Sequence, residues 1–245
     1  MPNDATHQHS HAQVVFAWAV HLFTASGAVA GFLAVLAVFD HRWVPCFAWL
    51  MVAAAIDSCD GFLARVARVR EVLPNFDGAL LDNLVDYFTY VLVPAFLIYE
   101  AGLLPQTFAL AGVSLIVLVS AYQFSQSDAK TEDHYFKGFP SYWNVVAFYL
   151  FFLGLDPWVN LAVVGALGVS VFVPVKYLYP SRAPHFRRLT IGLALVWAIL
   201  LVVLLASYPN VNRSLVWLSL VFVAYYYGLS LFMTVAGRGD SPTRD

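Results

Sequence analysis

The sequence predicts an all-α, polytopic membrane protein: a bundle of about eight transmembrane helices with both termini cytoplasmic. Three observations predict it. Of 245 residues, 61% are hydrophobic and 11% charged, with a mean hydropathy of +0.73, more apolar surface than a soluble domain of this length buries. The apolar residues fall into runs near the roughly 20 residues that cross a hydrocarbon core. The basic residues are segregated. With eight spans, Arg65, Arg68, Arg70, Lys130, Lys137, Lys176, Arg182, Arg187, Arg188, Arg238 and Arg244 share the side of the termini, and only Arg42 and Arg213 face the other. That asymmetry is the positive-inside pattern, and it places the termini and the 65–77 segment in the cytoplasm.

Taken in order, residues 1–13 are a polar tail in which His7, His9 and His11 alternate, expected to be solvated and disordered. No cleavable signal peptide is evident, because the first apolar stretch continues beyond a signal-like core. The first span, 20–39, is diluted by His21, Thr24, Ser26 and glycines. The second, 43–64, holds both cysteines, Cys46 and Cys59, which imply no disulfide framework. After the connector come spans at 78–99 and 105–124, then a loop with Glu132, Asp133 and His134 that reads as solvated. Spans at 140–156 and 158–176 meet at Gly154-Leu155-Asp156-Pro157, a link short enough only for a tight hairpin. Pro174, Pro180 and Pro184 with Arg182, Arg187 and Arg188 form a stiff basic loop, a topology anchor at an anionic leaflet. Spans at 189–207 and 213–236 follow, then a polar tail, 237–245. Residues 14–236 thus form a single transmembrane domain. The net charge of −2 says nothing about nucleic acid, but there is no basic stripe with interleaved aromatics, and no nucleic-acid partner is expected.

Function concentrates in four aspartates. Asp57, Asp60, Gly61 and Ala64 are spaced i, i+3, i+4, i+7 and share one helix face; Gly78, Asp82 and Asp86 repeat at four and share another. Arg65 and Gly78 bracket the cytoplasmic connector. Helical rise therefore puts Asp57 and Asp86 each about 12 Å from that surface, at matching depth. A single carboxylate at the centre of a bilayer costs about 3 to more than 10 kcal/mol. Four directed at one point require positive charge, and divalent cations are the natural source. Small Gly61 and Ala64 admit a ligand close to the carboxylates, and Arg65 at the mouth suits a phosphate.

The run D-x-x-D-G-x-x-A-R … G-x-x-x-D-x-x-x-D, carried by Asp57, Asp60, Gly61, Ala64, Arg65, Gly78, Asp82 and Asp86, resembles the signature of the CDP-alcohol phosphotransferase family of membrane enzymes. The twelve-residue gap between Arg65 and Gly78, the run Y-F-K-G-F-P-S-Y-W-N at 135–144 and the eight-span topology are similar to the bacterial phosphatidylcholine synthase branch of that family. The resemblance implies metal-dependent transfer of the phosphatidyl group of CDP-diacylglycerol to an alcohol, with release of CMP. It implies divalent cations, Mn²⁺ or Mg²⁺, two per active site. Asp57, Asp60 and Asp82 become ligands and Asp86 the general base and a further ligand. Gly61, Ala64, Arg65 and Gly78 fall in the nucleotide and phosphate region. Thr24 and Ser26 resemble the polar entry to the first span beside the nucleotide, with a hydrogen bond to helix backbone as the alternative for each hydroxyl. Relatives commonly form homodimers.

The residues themselves favour choline as the acceptor. The cytoplasmic ends of the third to sixth spans are aromatic more than basic, and aromatic faces hold a quaternary ammonium. Tyr90, Tyr122, Tyr142, Trp143 and Asn144 are the candidate acceptor residues, against the alternative that such aromatics form an interfacial belt. Lys137 is a candidate for a lipid or nucleotide phosphate, or for snorkelling to headgroups. The competing enzyme reading is phosphatidylserine synthase or another family member with a different alcohol. A more distant one is an ion-coupled transporter, opposed by the lack of an inverted repeat and by aspartates placed near one membrane face. A purely structural metal site leaves Arg65 and the small residues unexplained. The expected location is the bacterial inner membrane, with the active site at the cytoplasmic face.

Overall fold

A computed structural model describes residues 9–126, 135–173, 175–178 and 187–236. Helices stand at all eight expected positions: α1 (His11–Phe39), α2 (Trp43–Val66), a continuous helix over Gly78–Glu100, α6 (Ala109–Ser125), α7 (Trp143–Leu153), α8 (Pro157–Ser170), α9 (Arg187–Ala206) and α10 (Arg213–Ala236). A single extra turn, α3 (Val69–Val72), lies in the connector. The Gly78–Glu100 helix has three parts: α4 (Gly78–Asp86), a π-helical segment (Tyr87–Leu92) and α5 (Val93–Glu100).

Five helices are long and apolar enough to cross a membrane: α1, α2, Gly78–Glu100, α9 and α10. The outer surface agrees. Val15, Leu22, Val29 and Leu36, one per seven residues along α1, are 68%, 72%, 60% and 45% exposed, while His21 and Thr24 of the same helix are buried. A helix in water turns its polar residues outward; this one turns them inward. The chain is therefore a multi-pass membrane protein.

Three boundaries differ from the sequence expectation, each for a local reason. The first helix begins at His11, well before residue 20, because Ser10 and Gln13 form a reciprocal capping box that satisfies its first N–H groups. The fifth and sixth helices are shorter than expected, 11 and 14 residues, or about 16 and 21 Å against a hydrocarbon core of about 30 Å. The span expected to run to 176 stops at Ser170, with Val171 still in helical backbone conformation as its C-cap; the sequence has a proline at 174, which has no N–H to carry the helix further. Beyond it, β2 (Lys176–Leu178) pairs antiparallel with β1 (Tyr135–Lys137), Phe136 opposite Tyr177. The Ser170 carbonyl accepts from the Phe139 N–H at 3.2 Å, and Gly138 donates to the Val175 carbonyl at 2.9 Å. Gly138 needs its missing side chain: its φ is +81°, and a Cβ there would lie 2.1 Å from the Val171 carbonyl oxygen.

Apolar burial does not by itself drive helices together in lipid, so close packing of small residues carries more of the association. The inner face of α1 is built for it: Ala17, Ala30, Ala34 and Ala37 are buried. A Cβ on Gly27 would lie 2.8 Å from Val85, and one on Gly31 2.7 Å from the Phe88 ring. This brings α1 against α2, α4 and the π segment at backbone distance. The core behind them centres on Phe47, Leu97, Ile98, Phe139 and Trp143, none more than 2% exposed.

The long connector folds back on the bundle. Ala67, Val69 and Val72 pack on Ala17 and Val20, Arg68 pairs with Glu71, and His9 Nε2 meets the Glu71 carbonyl at 3.1 Å. Lys130, Glu132 to His134, Pro174, Pro180, Arg182, Pro184 and both polar tails lie outside the described residues, apart from residues 9–13.

Candidate active site

The end of α2 and the start of α4 are each docked on α1, and α2 also meets the π segment that continues α4. Asp77 caps α4, its Oδ1 accepting from the N–H groups of Ala79 and Leu80 at 3.1 and 2.9 Å. That cap starts the helix at Gly78 and fixes Asp82 and Asp86 one and two turns in. Three carboxylates then converge: Asp57, Asp82 and Asp86 each offer an oxygen, all within 4.8 Å of one another. Oxygens around a single cation at 2.0–2.6 Å are separated by at most about 4–5 Å. The donor set is all carboxylate, the chemistry that hard divalent cations prefer. The three residues therefore fit a divalent metal.

Asp60 plays a different part. It is the one buried member of the four, 6% exposed, and it turns toward α1. There its neighbours are Thr24 and the Gly61 backbone, with the Asp82 and Asp57 carboxylates within electrostatic reach. Thr24 Oγ1 also lies 3.4 Å from the Val20 carbonyl. Ser26 is turned away from the site and donates to the Phe23 carbonyl at 2.6 Å. Both hydroxyls make the backbone contact, and Thr24 in addition lies beside Asp60.

The signature residues on α2 line the open side. Gly61 and Arg65 are exposed and Ala64 half-buried; the nearest heavy atom to a Cβ on Gly61 would be Arg65 Nη1 at 3.6 Å. Gly78 is different, because its missing side chain makes room for a protein group. A Cβ on it would lie 2.6 Å from His21 Cε1. His21 is buried, with ring contacts to Phe76 at 4.4 Å and Trp18 at 6.0 Å. Its polarity inside an apolar span, one turn from Thr24, is the sequence signal for this neighbourhood.

The π segment directly follows Asp86. Pro94 explains it: the ring has no N–H and clashes with the carbonyl four residues back, that of Tyr90, so the helix widens there. Within the widened turn, the Tyr90 hydroxyl donates to Asp57 Oδ2 at 2.7 Å, and the side chain also lies near Asp86. Tyr90 thus ties α2 to the other aspartate helix at the cluster itself.

The remaining acceptor candidates separate. Tyr142 joins Tyr90, ring centroids 5.9 Å apart. Tyr122 is 49% exposed on the outer face of α6, against Phe172 at 5.0 Å. Trp143 is fully buried and donates to Ser120 Oγ at 2.8 Å. Asn144 Oδ1 accepts from the Val145 N–H, a local helix-start contact. Tyr226 of α10, which no pattern near the aspartates singles out, lies 6.5 Å from Tyr142.

The family model of CDP-alcohol phosphatidyltransferase matches residues 17–175. The chain is 42% identical over 231 residues to a phosphatidylcholine synthase of Legionella pneumophila, an alignment covering 91% of this chain and 90% of that one. It is 42% identical over 216 residues to a phosphatidylcholine synthase of Pseudomonas aeruginosa, covering 88% and 91%. With one from Rhizobium meliloti the identity is 40% over 184 residues, covering 75% and 76%.

Proposed function

This chain belongs to the CDP-alcohol phosphatidyltransferase family, and from that premise we propose that it makes phosphatidylcholine from CDP-diacylglycerol and choline, releasing CMP. The observation that carries the chemistry is the convergence of Asp57, Asp82 and Asp86 from two helices. The observation that carries the acceptor is the set of relatives named for phosphatidylcholine synthesis, similar to this chain over most of its length. Membership of an enzyme family sets aside the transporter alternative.

Asp57, Asp82 and Asp86 hold a divalent cation, Mn²⁺ or Mg²⁺, with Asp60 beside them for a second. Bound there, such ions supply positive charge to the pyrophosphate and to the departing CMP. Arg65 reaches the phosphates from the open side, where Gly61 and Ala64 leave room. Asp60, oriented by Thr24, keeps the α1 side of the site polar. Asp86 takes the hydroxyl proton of choline. The choline oxygen forms its bond to the phosphorus that carries the diacylglycerol, and the bond from that phosphorus to the CMP oxygen breaks. Such a reaction asks the protein mainly for alignment and charge neutralisation. The basic-residue asymmetry supports a site at the cytoplasmic face of a bacterial inner membrane.

The test is formation of labelled lipid by the purified protein, with and without Mn²⁺ or Mg²⁺, offering choline, serine, glycerol phosphate and inositol in parallel. Metal-dependent phosphatidylcholine with stoichiometric CMP is the expected result. Product from serine instead of choline would overturn the acceptor assignment and leave the aspartate chemistry standing.

A further inference from the structure

Three tyrosines from three separate parts of the chain form one continuous row leading away from the carboxylates. Tyr90 comes from the π segment, Tyr142 from the residue before α7, and Tyr226 from the last helix, α10. Their ring centroids are 5.9 Å apart for Tyr90–Tyr142 and 6.5 Å for Tyr142–Tyr226, with interplanar angles of 48° and 55°. The rings are tilted rather than stacked, so they do not consume each other's faces. The Tyr90 hydroxyl donates to Asp57 Oδ2 at 2.7 Å, so one end of the row meets the carboxylate cluster.

Tyr142 is held by its backbone setting. Ser141 before it is fully buried with a left-handed φ of +57°, a conformation that costs a non-glycine residue energy and is kept where surrounding structure fixes it. Tyr226 is 8% exposed and packs with Tyr142, Val175, Tyr227 and Leu229. A row of phenol rings beside carboxylates, Tyr90 and Tyr142 half-buried and Tyr226 buried, suits a cation, since ring faces within about 6 Å attract one. It does not suit an anionic alcohol.

We propose that Tyr90, Tyr142 and Tyr226 form the binding site for the trimethylammonium group of the acceptor, and that Tyr226 is a residue that determines acceptor specificity. This rests on choline being the acceptor. The match to the family model ends at residue 175, so Tyr226 lies beyond the matched segment. The aspartates and their surroundings belong to the shared chemistry, while α10 adds the wall that reads the alcohol.

The experiment is steady-state kinetics on full-length Tyr226→Leu and Tyr226→Phe, varying choline and CDP-diacylglycerol separately. The Leu variant is expected to raise KM for choline by about three- to thirtyfold, with the KM for CDP-diacylglycerol little changed and the Phe variant recovering most of the loss. An unchanged choline KM in the Leu variant, while the unmodified enzyme makes phosphatidylcholine, overturns the proposal and leaves the choline reading intact. If the unmodified enzyme makes no phosphatidylcholine, the choline reading falls and the proposal with it. A second measurement needs no variant: 3,3-dimethylbutan-1-ol, the neutral isostere of choline, should be used at least about tenfold less efficiently by the unmodified enzyme. Equal use of the two alcohols overturns a cation-selective site even where the variants do not fold.

Discussion

The Tyr90 hydroxyl donates to the Asp57 carboxylate at 2.7 Å across 33 residues of sequence. It spans the two helices that supply the aspartate cluster, so a group outside the signature sets the position of a group inside it. A hydrogen bond to a charged acceptor contributes about 1.5–3 kcal/mol. Tyr90→Phe should therefore raise the half-saturating Mn²⁺ or Mg²⁺ concentration by about tenfold or more while keeping the ring in place. Metal titration of activity measures this, and an unshifted midpoint would show that Asp57 needs no such support.

Asp86→Asn keeps the size of the side chain and removes the proton acceptor. Turnover should fall by about a hundredfold to ten-thousandfold, with binding of CDP-diacylglycerol largely retained. Binding of the labelled nucleotide lipid, measured beside the rate, separates lost chemistry from lost affinity. Normal turnover would remove Asp86 from the role of base.

The two hydroxyls of the first helix make a matched pair. Thr24 lies beside Asp60, whereas Ser26 donates to the Phe23 carbonyl away from the aspartates. Thr24→Val should raise the KM for CDP-diacylglycerol several-fold, and Ser26→Ala should stay within twofold of the unmodified enzyme. Equal effects from both would contradict the placement of Asp60 against α1.

Gly78 tests packing against ligand contact. With a Cβ 2.6 Å from His21 Cε1, Gly78→Ala should destabilise by about 1–3 kcal/mol through overpacking. His21→Ala in the same chain should recover part of that loss, because the two sites share the contact. Thermal unfolding in detergent across the four-member cycle reads the coupling. Strict additivity would mean that the glycine is needed for something other than room for the imidazole.

Gly31 tests how α1 docks. A Cβ there would lie 2.7 Å from the Phe88 ring and 2.9 Å from Thr89, in the layer that sets the distance between α1 and the aspartate helix. Gly31→Val should lower both thermal stability and activity. Val29→Ala, on the outer face at 60% exposure, should change stability by less than about 0.5 kcal/mol. A tolerated Gly31→Val would mean that α1 does not fix the site geometry.

The sequence by itself determined the membrane setting, the positions of eight helices and the identity of the aspartate constellation. These are local or periodic properties. Hydropathy over a run of residues places a helix in lipid, and a spacing of three or four places Asp57 with Asp60 and Asp82 with Asp86 on their faces, whatever the neighbours are. Even so, two expectations based on run length gave way to local backbone chemistry: the Ser10–Gln13 capping box starts α1 early, and α8 ends at Ser170, four residues before the proline in the sequence. The tertiary structure alone decided which side chains meet. It brought Asp86 rather than Asp60 into the tight group with Asp57 and Asp82, because Asp60 faces Thr24 on a helix 36 residues earlier in the chain. It separated Tyr122 and Trp143 from Tyr142, although all three stand in aromatic-rich segments. It also added Tyr226, 84 residues beyond Tyr142 in the sequence. Contacts between distant helices depend on their rotation and depth relative to one another. Those are fixed by small residues such as Gly27 and Gly31 and by the widened turn before Pro94, and no periodicity within a single helix encodes them.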